Sequence, residues 1–516
     1  MTTFADQQRL IAALQSAHGA QVIETHISWV LLIGDFAYKI KKAVDLGFLN
    51  YLALSSRKYF CEEELRLNRR TAADLYLEVV AIGGGIDAPQ FGVQPAIEYA
   101  VKMRRFPDDA LMDARLQQGR VEPAHIDALA STVAIFHERA ATVDAQTAFG
   151  NAATIRAAAM QNFEQMRVLL TDVADLQQLA MLELATLREW ESSSPLFALR
   201  REHGFVRECH GDLHLGNIAL IDGVPVPFDG IEFSPALRWI DVLDEVAFTM
   251  MDLLHHGHSD LAWRYLNAYL QASGDYAGVG VLRFYLAYRA AVRAKVAAIR
   301  ASQSAGRDRI QPLQACRAHL ELGLRCLSER RAVQIITHGL PGSGKTTFAQ
   351  YAIEQLGAVR IRSDVERKRM FGLSPLEGSR TLDVDIYSRE ATTRTYARLL
   401  TLARAVLAAG YPVVVDAAFL RRDEREQFRA LARETASPFV IATLHADKMT
   451  LRARLRQRNH DASEADVKVL AKLQAVQQPL SAREREAVLR FSTAQPPQSG
   501  RNARSWDGLL KFVYAP

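Results

Sequence analysis

The stretch Val333-Gln-Ile-Ile-Thr-His-Gly339-Leu-Pro-Gly-Ser-Gly344-Lys345-Thr346-Thr347 decides the reading of the last third of the chain. It opens on an apolar β-type run and closes on a helical pattern, Thr347-Phe-Ala-Gln-Tyr-Ala-Ile. Between them stands G-x-x-x-x-G-K-[ST] in the strand-then-helix context that a phosphate-binding loop requires. Glycines such as Gly339, Gly342 and Gly344 let backbone N–H groups turn toward phosphates, with Ser343 among them. The helix N-terminus beyond, from Lys345 through Thr346 and Thr347, adds partial positive charge. Lys345 can reach the β- and γ-phosphates of ATP, and the Thr346 hydroxyl can ligate Mg²⁺.

Two acids complete this expectation. Asp364 follows the run Arg360-Ile-Arg-Ser, and Asp416 ends the strand Tyr411-Pro-Val-Val-Val. An acid at the C-terminal tip of a parallel strand faces the ligand crevice. Asp416 can hold the Mg²⁺ shell, and Asp364 can orient or deprotonate an attacking hydroxyl. Either can instead cap the helical stretch that follows it. Arg454 and Arg458, four apart in Leu451-Arg-Ala-Arg-Leu-Arg-Gln-Arg, can face one phosphate chain on a helix. Apolar runs at Val333–Thr337, Val413–Val415 and Phe439–Thr443 alternate with helical stretches, which predicts an α/β P-loop domain with a parallel sheet.

Outward from this unit, the chain has 516 residues, 49% of them hydrophobic and 23% charged. That composition fits large buried cores and excludes global disorder. From Arg331 onward there are 30 basic and 19 acidic residues, a balance of +11; the whole chain is at +5, so the remainder stands at −6. A basic C-terminal part suits an anionic ligand. Four well-separated cysteines, with no C-x-x-C pair, argue against a disulfide scaffold and a zinc knuckle. No secretory leader or long apolar run is visible, so a reduced cytoplasmic protein without a membrane partner is expected. The main boundary is placed near residue 330. The parts are 1–330, with lobes of about 1–105 and 106–330, and 331–516.

A second constellation lies in the first part. His210-Gly-Asp212-Leu-His-Leu-Gly-Asn217 precedes a hairpin that ends at Phe228-Asp229-Gly. A hairpin of that length returns Asp229 beside Asn217, and an Asp with an Asn flanking a cation position suits Mg²⁺–ATP. Asp212 is then free to accept a proton from a hydroxyl. Upstream, Ser28–Gly34 and Phe36–Ile40 read as a strand pair around Gly34-Asp35, and Ser55–Arg70 as a helix capped by Ser55 or Ser56. Leu77–Ile82 and Glu98–Arg104 read as strands separated by the loop Gly83-Gly-Gly.

The H-G-D-x-x-x-x-N form resembles the aminoglycoside phosphotransferase and choline-kinase group of protein-kinase-like folds. The resemblance spans about residues 27–270. It implies an α+β two-lobed fold, Asp212 as catalytic base, and Asn217 and Asp229 as metal ligands. It makes Lys39 the ATP-phosphate lysine, with Lys41 and Lys42 beside it as alternatives, and Glu63 or Glu64 its ion-pair partner. Residues 98–103 would be the hinge near the adenine. The stretch from Val333 to Gln474 resembles the small P-loop kinases, a group with polynucleotide-kinase-like, zeta-toxin-like and gluconate-kinase-like members. This implies Asp364 near the acceptor hydroxyl and Arg454 to Arg458 as a lid over ATP. The two-domain whole resembles bacterial proteins that join such a phosphotransferase to a P-loop kinase. The expected activity is γ-phosphoryl transfer from ATP to a hydroxyl of a small molecule such as a sugar, amino sugar, nucleoside or aminoglycoside. The alternative is a nucleotide or polynucleotide kinase in the C-terminal part with a regulatory first part; no aromatic-interleaved basic platform favours nucleic acid. Acids at Asp241, Asp244 and Glu245 suggest a cationic acceptor. Oligomeric state leaves no signature.

Overall fold

The protein is described from a computed structural model, which covers residues 3–47, 49–328, 332–379, 385–457, 462–464 and 467–514. By packing it divides into two units: residues 1–155 with 197–252, and residues 156–196 with 253–516.

The first unit begins with the helix Phe4–His18. Thr3 and Asp6 satisfy each other's backbone N–H groups at its start, and Gly19 ends it in the left-handed conformation at φ 61°. A six-stranded sheet follows: β1 (Gln21–Glu24), β2 (Ser28–Ile33), β3 (Phe36–Lys41), β4 (Tyr76–Gly85), β5 (Ala88–Phe91) and β6 (Glu98–Arg104). Its order is β1-β2-β3-β6-β4-β5 and every pairing is antiparallel. The expected β2–β3 hairpin is present, with Ile33 opposite Phe36. Alternation along β3 sets the site. Ile40 packs into the cluster of Leu10, Leu14 and Trp29 on one face, and Ala37 packs with Cys61 and Val101 on the other. Lys39 and Lys41 lie at even spacing from Ala37, so they share the face covered by the helix Leu54–Asn68.

Three details differ from the expectation. The helix Leu54–Asn68 starts after Ala53 without a side-chain cap, and Ser56 instead donates to the Asn50 carbonyl at 2.7 Å. The three glycines at 83–85 do not separate strands as a loop; they extend β4 into a hairpin with β5. Residues 98–103 are no hinge but lie in β6, the strand that the pattern predicts, with 100–103 paired on both sides. The Glu98 carboxylate is fully buried there against Arg57 and Gln7.

The unit continues through β7 (Val206–Glu208), the hairpin of β8 (Ile218–Ile221) and β9 (Val224–Pro227), and β10 (Trp239–Asp241), which pairs with β7. The helix Val242–His255 closes beneath this loop region.

The second unit holds a five-stranded, wholly parallel sheet: β11 (Gln334–His338), β12 (Val359–Arg362), β13 (Val413–Asp416), β14 (Phe439–His445) and β15 (Val488–Ser492), in the order β12-β13-β11-β14-β15. Parallel strands are covered on both faces and therefore read as unbroken apolar runs. Val414, Val440 and Ile335 are fully buried, under Phe348 and Ile353 of the helix Lys345–Leu356 and Trp506 and Leu509 of the helix Ala503–Tyr514. The fold class expected from the sequence is therefore found: an α+β unit of kinase-like layout followed by an α/β P-loop unit. The division by packing falls elsewhere than residue 330. The helices Ser259–Ser273, Val279–Gln303 and Ile310–Ser328 belong with the parallel sheet, because their apolar faces pack within that unit. No helix among the described residues is long and apolar enough to cross a membrane.

Candidate functional site

The first site grows from β3 and the helix that covers it. Lys39 Nζ lies 2.8 Å from Glu64 Oε1 and also contacts Asp229 Oδ1. Lys41 Nζ lies 2.7 Å from Glu64 Oε2 and also contacts Glu232. Glu64 and Lys41 are fully buried, Lys39 nearly so. Burial alone would raise the Glu64 pKa, but the ammonium groups of Lys39 and then Lys41 override it and hold the carboxyl below its ordinary value. Burial opposes charge on both lysines too, yet Asp229 for Lys39 and Glu232 for Lys41 hold them raised. The partner of Lys39 is therefore Glu64 and not Glu63. Glu63 faces the other way, to Arg66 at 2.6 Å and Arg238 at 3.0 Å. On a helix, adjacent residues point about 100° apart, so only one of the pair can face the sheet.

The catalytic-loop candidates converge as their spacing implied. Phe228 N donates to the Asn217 carbonyl at 3.0 Å where the hairpin closes, which places Asp229 one residue from Asn217's partner. The Asn217 amide nitrogen donates to Asp212 O at 2.9 Å and to Asp212 Oδ2 at 3.0 Å, leaving its oxygen as the acceptor for a cation. Asp229 sits at φ 62°, a left-handed backbone that non-glycine residues rarely adopt. Tyr76 Oη, accepting from Asp229 N at 3.1 Å, and Asn68 Oδ1, accepting from Gly230 N at 2.8 Å, help hold it there. Such strain persists only where the surroundings over-determine it, and it clusters at functional sites.

Beneath the loop, Glu245 accepts from Gly211 N at 2.7 Å and pairs with His137 Nε2 at 2.7 Å. Gly211 is at φ 88°, and a Cβ there would come within 2.7 Å of the Leu237 carbonyl, so only glycine fits between His210 and Asp212. His210 Nε2 meets the Phe228 carbonyl at 2.8 Å, and burial lowers its pKa, which makes it a loop-packing histidine. The acids that suggested a cationic acceptor are all buried inside the unit, and two of them are paired there. Asp241 pairs with Arg200 at 2.7 Å and Glu245 with His137, and both are buried, as is Asp244. Sequence reasoning missed the roles of Asn68, Tyr76 and Glu245; a polar side chain inside an apolar pattern was their only signal.

The second site lies at the C-terminal ends of the parallel strands. Gly339 N donates to the Ala418 carbonyl, joining the start of the loop to the segment after β13. Lys345 Nζ bonds the Gly339 and Leu340 carbonyls at 3.0 Å each, spanning the loop from within. Gly344 precedes the helix Lys345–Leu356 at φ 86°, with no side-chain cap on that helix. The Ser343 hydroxyl is buried without a partner. Thr346 and Thr347 stand in the first turn, where backbone N–H groups have no acceptor within the helix. An uncapped helix start, an unpartnered buried hydroxyl and a bridging ammonium fit a triphosphate.

β13 lies directly beside β11, with Val415 opposite Ile336, so Asp416 ends level with the strand that feeds the loop. Asp416 is buried, 3.7 Å from Arg362 Nε, and caps no helix; the next begins at Arg422. Thr337 Oγ1 donates to the Ala417 carbonyl at 2.7 Å and accepts from Ala417 N at 3.1 Å, which fixes the backbone next to Asp416. Asp364 is the second residue of the helix Ser363–Met370, two beyond Arg362, which pairs with Asp416 in register. Arg454 donates to the Gly342 carbonyl at 3.2 Å and to Thr493 at 2.8 and 2.9 Å, so it holds the loop rather than hanging over it. Arg458 lies outside the described residues.

A family profile described as AAA domain matches residues 335–480. The uncharacterized protein Rv2004c of Mycobacterium tuberculosis is 31% identical over 460 residues, 88% of this chain and 90% of its own. The chain belongs to the family of that mycobacterial protein. Solved structures with partial likeness include choline kinase from Cryptosporidium parvum, at 9% identity, 62% of this chain, 95% of the other and TM-score 0.40. A gluconokinase from Sinorhizobium meliloti matches at 21% identity, 36% of this chain, 95% of the other and TM-score 0.26.

Proposed function

We propose that this family member is an ATP-dependent phosphotransferase with two phosphoryl-transfer sites, one in residues 1–330 and one in residues 331–516, acting on a small-molecule hydroxyl. The observation that carries the reading is the Lys39–Glu64 pair in contact with Asp229, one hairpin closure away from Asn217 and Asp212. In the first site, Lys39 is anchored by Glu64 for a phosphate, and Asp229 with the Asn217 oxygen would hold Mg²⁺. Bound Mg²⁺–ATP supplies the γ-phosphoryl group and neutralises charge as it leaves. Asp229 must then release Lys39, which Glu64 retains. Asp212 is kept in place by Asn217 and takes the proton of the attacking hydroxyl. In the second site, Lys345, Thr346 and the uncapped helix start would receive the triphosphate, Asp416 would hold the metal shell, and Asp364 would serve the acceptor.

The acceptor is read as a sugar, amino sugar, nucleoside or aminoglycoside-like compound. A screen of such compounds for stimulated ADP release by the full chain tests this. Asp212→Ala should remove one acceptor-dependent activity by about 10²–10⁴-fold and Asp364→Ala another. If either variant alone abolishes all turnover, or neither changes any, the two-site reading fails.

A further inference from the structure

The second unit encloses a cavity of about 390 Å³ at the end of the parallel sheet opposite the P-loop. Gly357, just before β12, and the run Gly410-Tyr411-Pro412, just before β13, form one wall. The helices Ser259–Ser273, Val279–Gln303 and Ile310–Ser328 supply the other. Its volume is within the range of small-ligand sites, which are mostly apolar with a few placed polar groups.

The polar group here is unusual. Arg283 is 3% exposed, in the second turn of the helix Val279–Gln303. Its Nη2 donates to the Gly410 carbonyl at 2.9 Å, and its guanidinium carbon sits 4.1 Å from the centre of the Tyr411 ring. Its Nε is buried with no acceptor. Among the described residues no carboxylate pairs with it, and no Asp or Glu lines the cavity. Burying a guanidinium without a counter-anion is costly, and buried arginines are ordinarily paired. A second cation, Arg325, stands exposed at the rim. Trp263 meets Tyr411 edge to face, with ring centres 5.7 Å apart, so both add aromatic surface to the cavity lining beside Arg283.

We propose that this cavity binds a small organic anion that carries a phosphate or carboxylate on a flat, apolar body. The anionic group would pair with Arg283 and Arg325, and the flat body would lie against Trp263 and Tyr411. The site stands apart from the P-loop, at the strand ends where no catalytic group has been placed, so it does not depend on the phosphotransferase reading.

The test uses the full chain and 4-methylumbelliferyl phosphate, a fluorescent aromatic phosphate, in equilibrium titration. One equivalent should bind, excess Mg²⁺–ATP should leave it bound, and Lys345→Ala should bind it equally. Arg283→Met should weaken binding by about tenfold or more, the share of one charge-assisted hydrogen bond. Arg325→Met, an exposed position that cannot unfold the core, should weaken it by several-fold, so the proposal stays testable if the Arg283 variant does not fold. Uncharged 4-methylumbelliferone should bind more weakly than the phosphate. No saturable binding at millimolar probe, displacement by ATP, or affinities unchanged in Arg325→Met would overturn the proposal.

Discussion

Replacing Glu64 by Gln separates the account from its nearest rival, in which Glu63 serves Lys39. The carboxylate of Glu64 is shared by two ammonium groups, at 2.8 and 2.7 Å, and all three side chains are 10% exposed or less. Removing one partner of a buried ion pair costs about 3–5 kcal/mol. Here Lys39 keeps Asp229 and Lys41 keeps Glu232, which puts the expected loss near the lower end, about 3 kcal/mol. Glu63→Gln removes a carboxylate shared by half-exposed Arg66 and buried Arg238, both of which keep Glu208, so about 1 kcal/mol is expected. The difference of ~2 kcal/mol is a factor of about 30 in the folded-to-unfolded ratio. Equilibrium urea unfolding of the full chain measures it. The Glu64 variant should also bind Mg²⁺–ATP at the first site about tenfold more weakly, since Lys39 would fall back on Asp229. The pH dependence adds a signature. Glu64 is held ionised below its ordinary value of 4.5, so its contribution is complete above that pH and is lost as pH falls further. The wild-type chain should therefore lose stability relative to Glu64→Gln on acidification below about pH 4.5. A Glu63 variant as damaged as the Glu64 variant, in stability and in ATP binding, would refute the reasoning.

Three further outcomes are expected. Gly344→Ala forces φ 86° on a residue with a Cβ, which would stand 2.7 Å from Thr493 Cγ2; calorimetric titration should show nucleotide binding at the P-loop lost, with about 1–2 kcal/mol of stability. His338, buried at the end of β11, is pushed down to about 4 by desolvation and then by Arg425 and Lys345. The unfolded chain takes up that proton first, so stability should fall as pH drops from 6.5 toward 4, and His338→Phe should flatten the slope of urea midpoints across that window. Glu245→Gln weakens the grip on the Gly211 amide and should lower kcat about tenfold while leaving KM for ATP nearly unchanged, because Glu245 positions the Asp212 loop without touching nucleotide.

The sites were legible in the sequence to the extent that chemistry was carried by local spacing. The run Gly339–Thr347 and the set Asp212, Asn217 and Asp229 each fall on one loop or one hairpin, where sequence separation nearly dictates spatial separation. The Glu63/Glu64 choice was not legible, because it depends on which side of a helix meets the sheet, and both neighbours are glutamates. The hinge placed at 98–103 failed for a different reason. It came from the resemblance and fell on a stretch whose own pattern read as a strand; the strand is what forms, with Glu98 buried by Arg57 from a distant helix. The continuation of β4 through Gly83–Gly85 was missed because glycines read as loop, and β15 because its short mixed-polarity run carries no strand pattern. Asp241, Asp244 and Glu245 looked like an acidic pocket in one dimension, and partners far along the chain turned out to consume two of them.

The most direct measurement is the number of Mg²⁺–ATP equivalents bound per full chain, by calorimetric titration with a non-hydrolysable analogue. The account predicts two for the wild-type chain, one each for Asp229→Ala and Lys345→Ala, and none for the double variant. A single equivalent in the wild-type chain, or the loss of both on either single substitution, would contradict it.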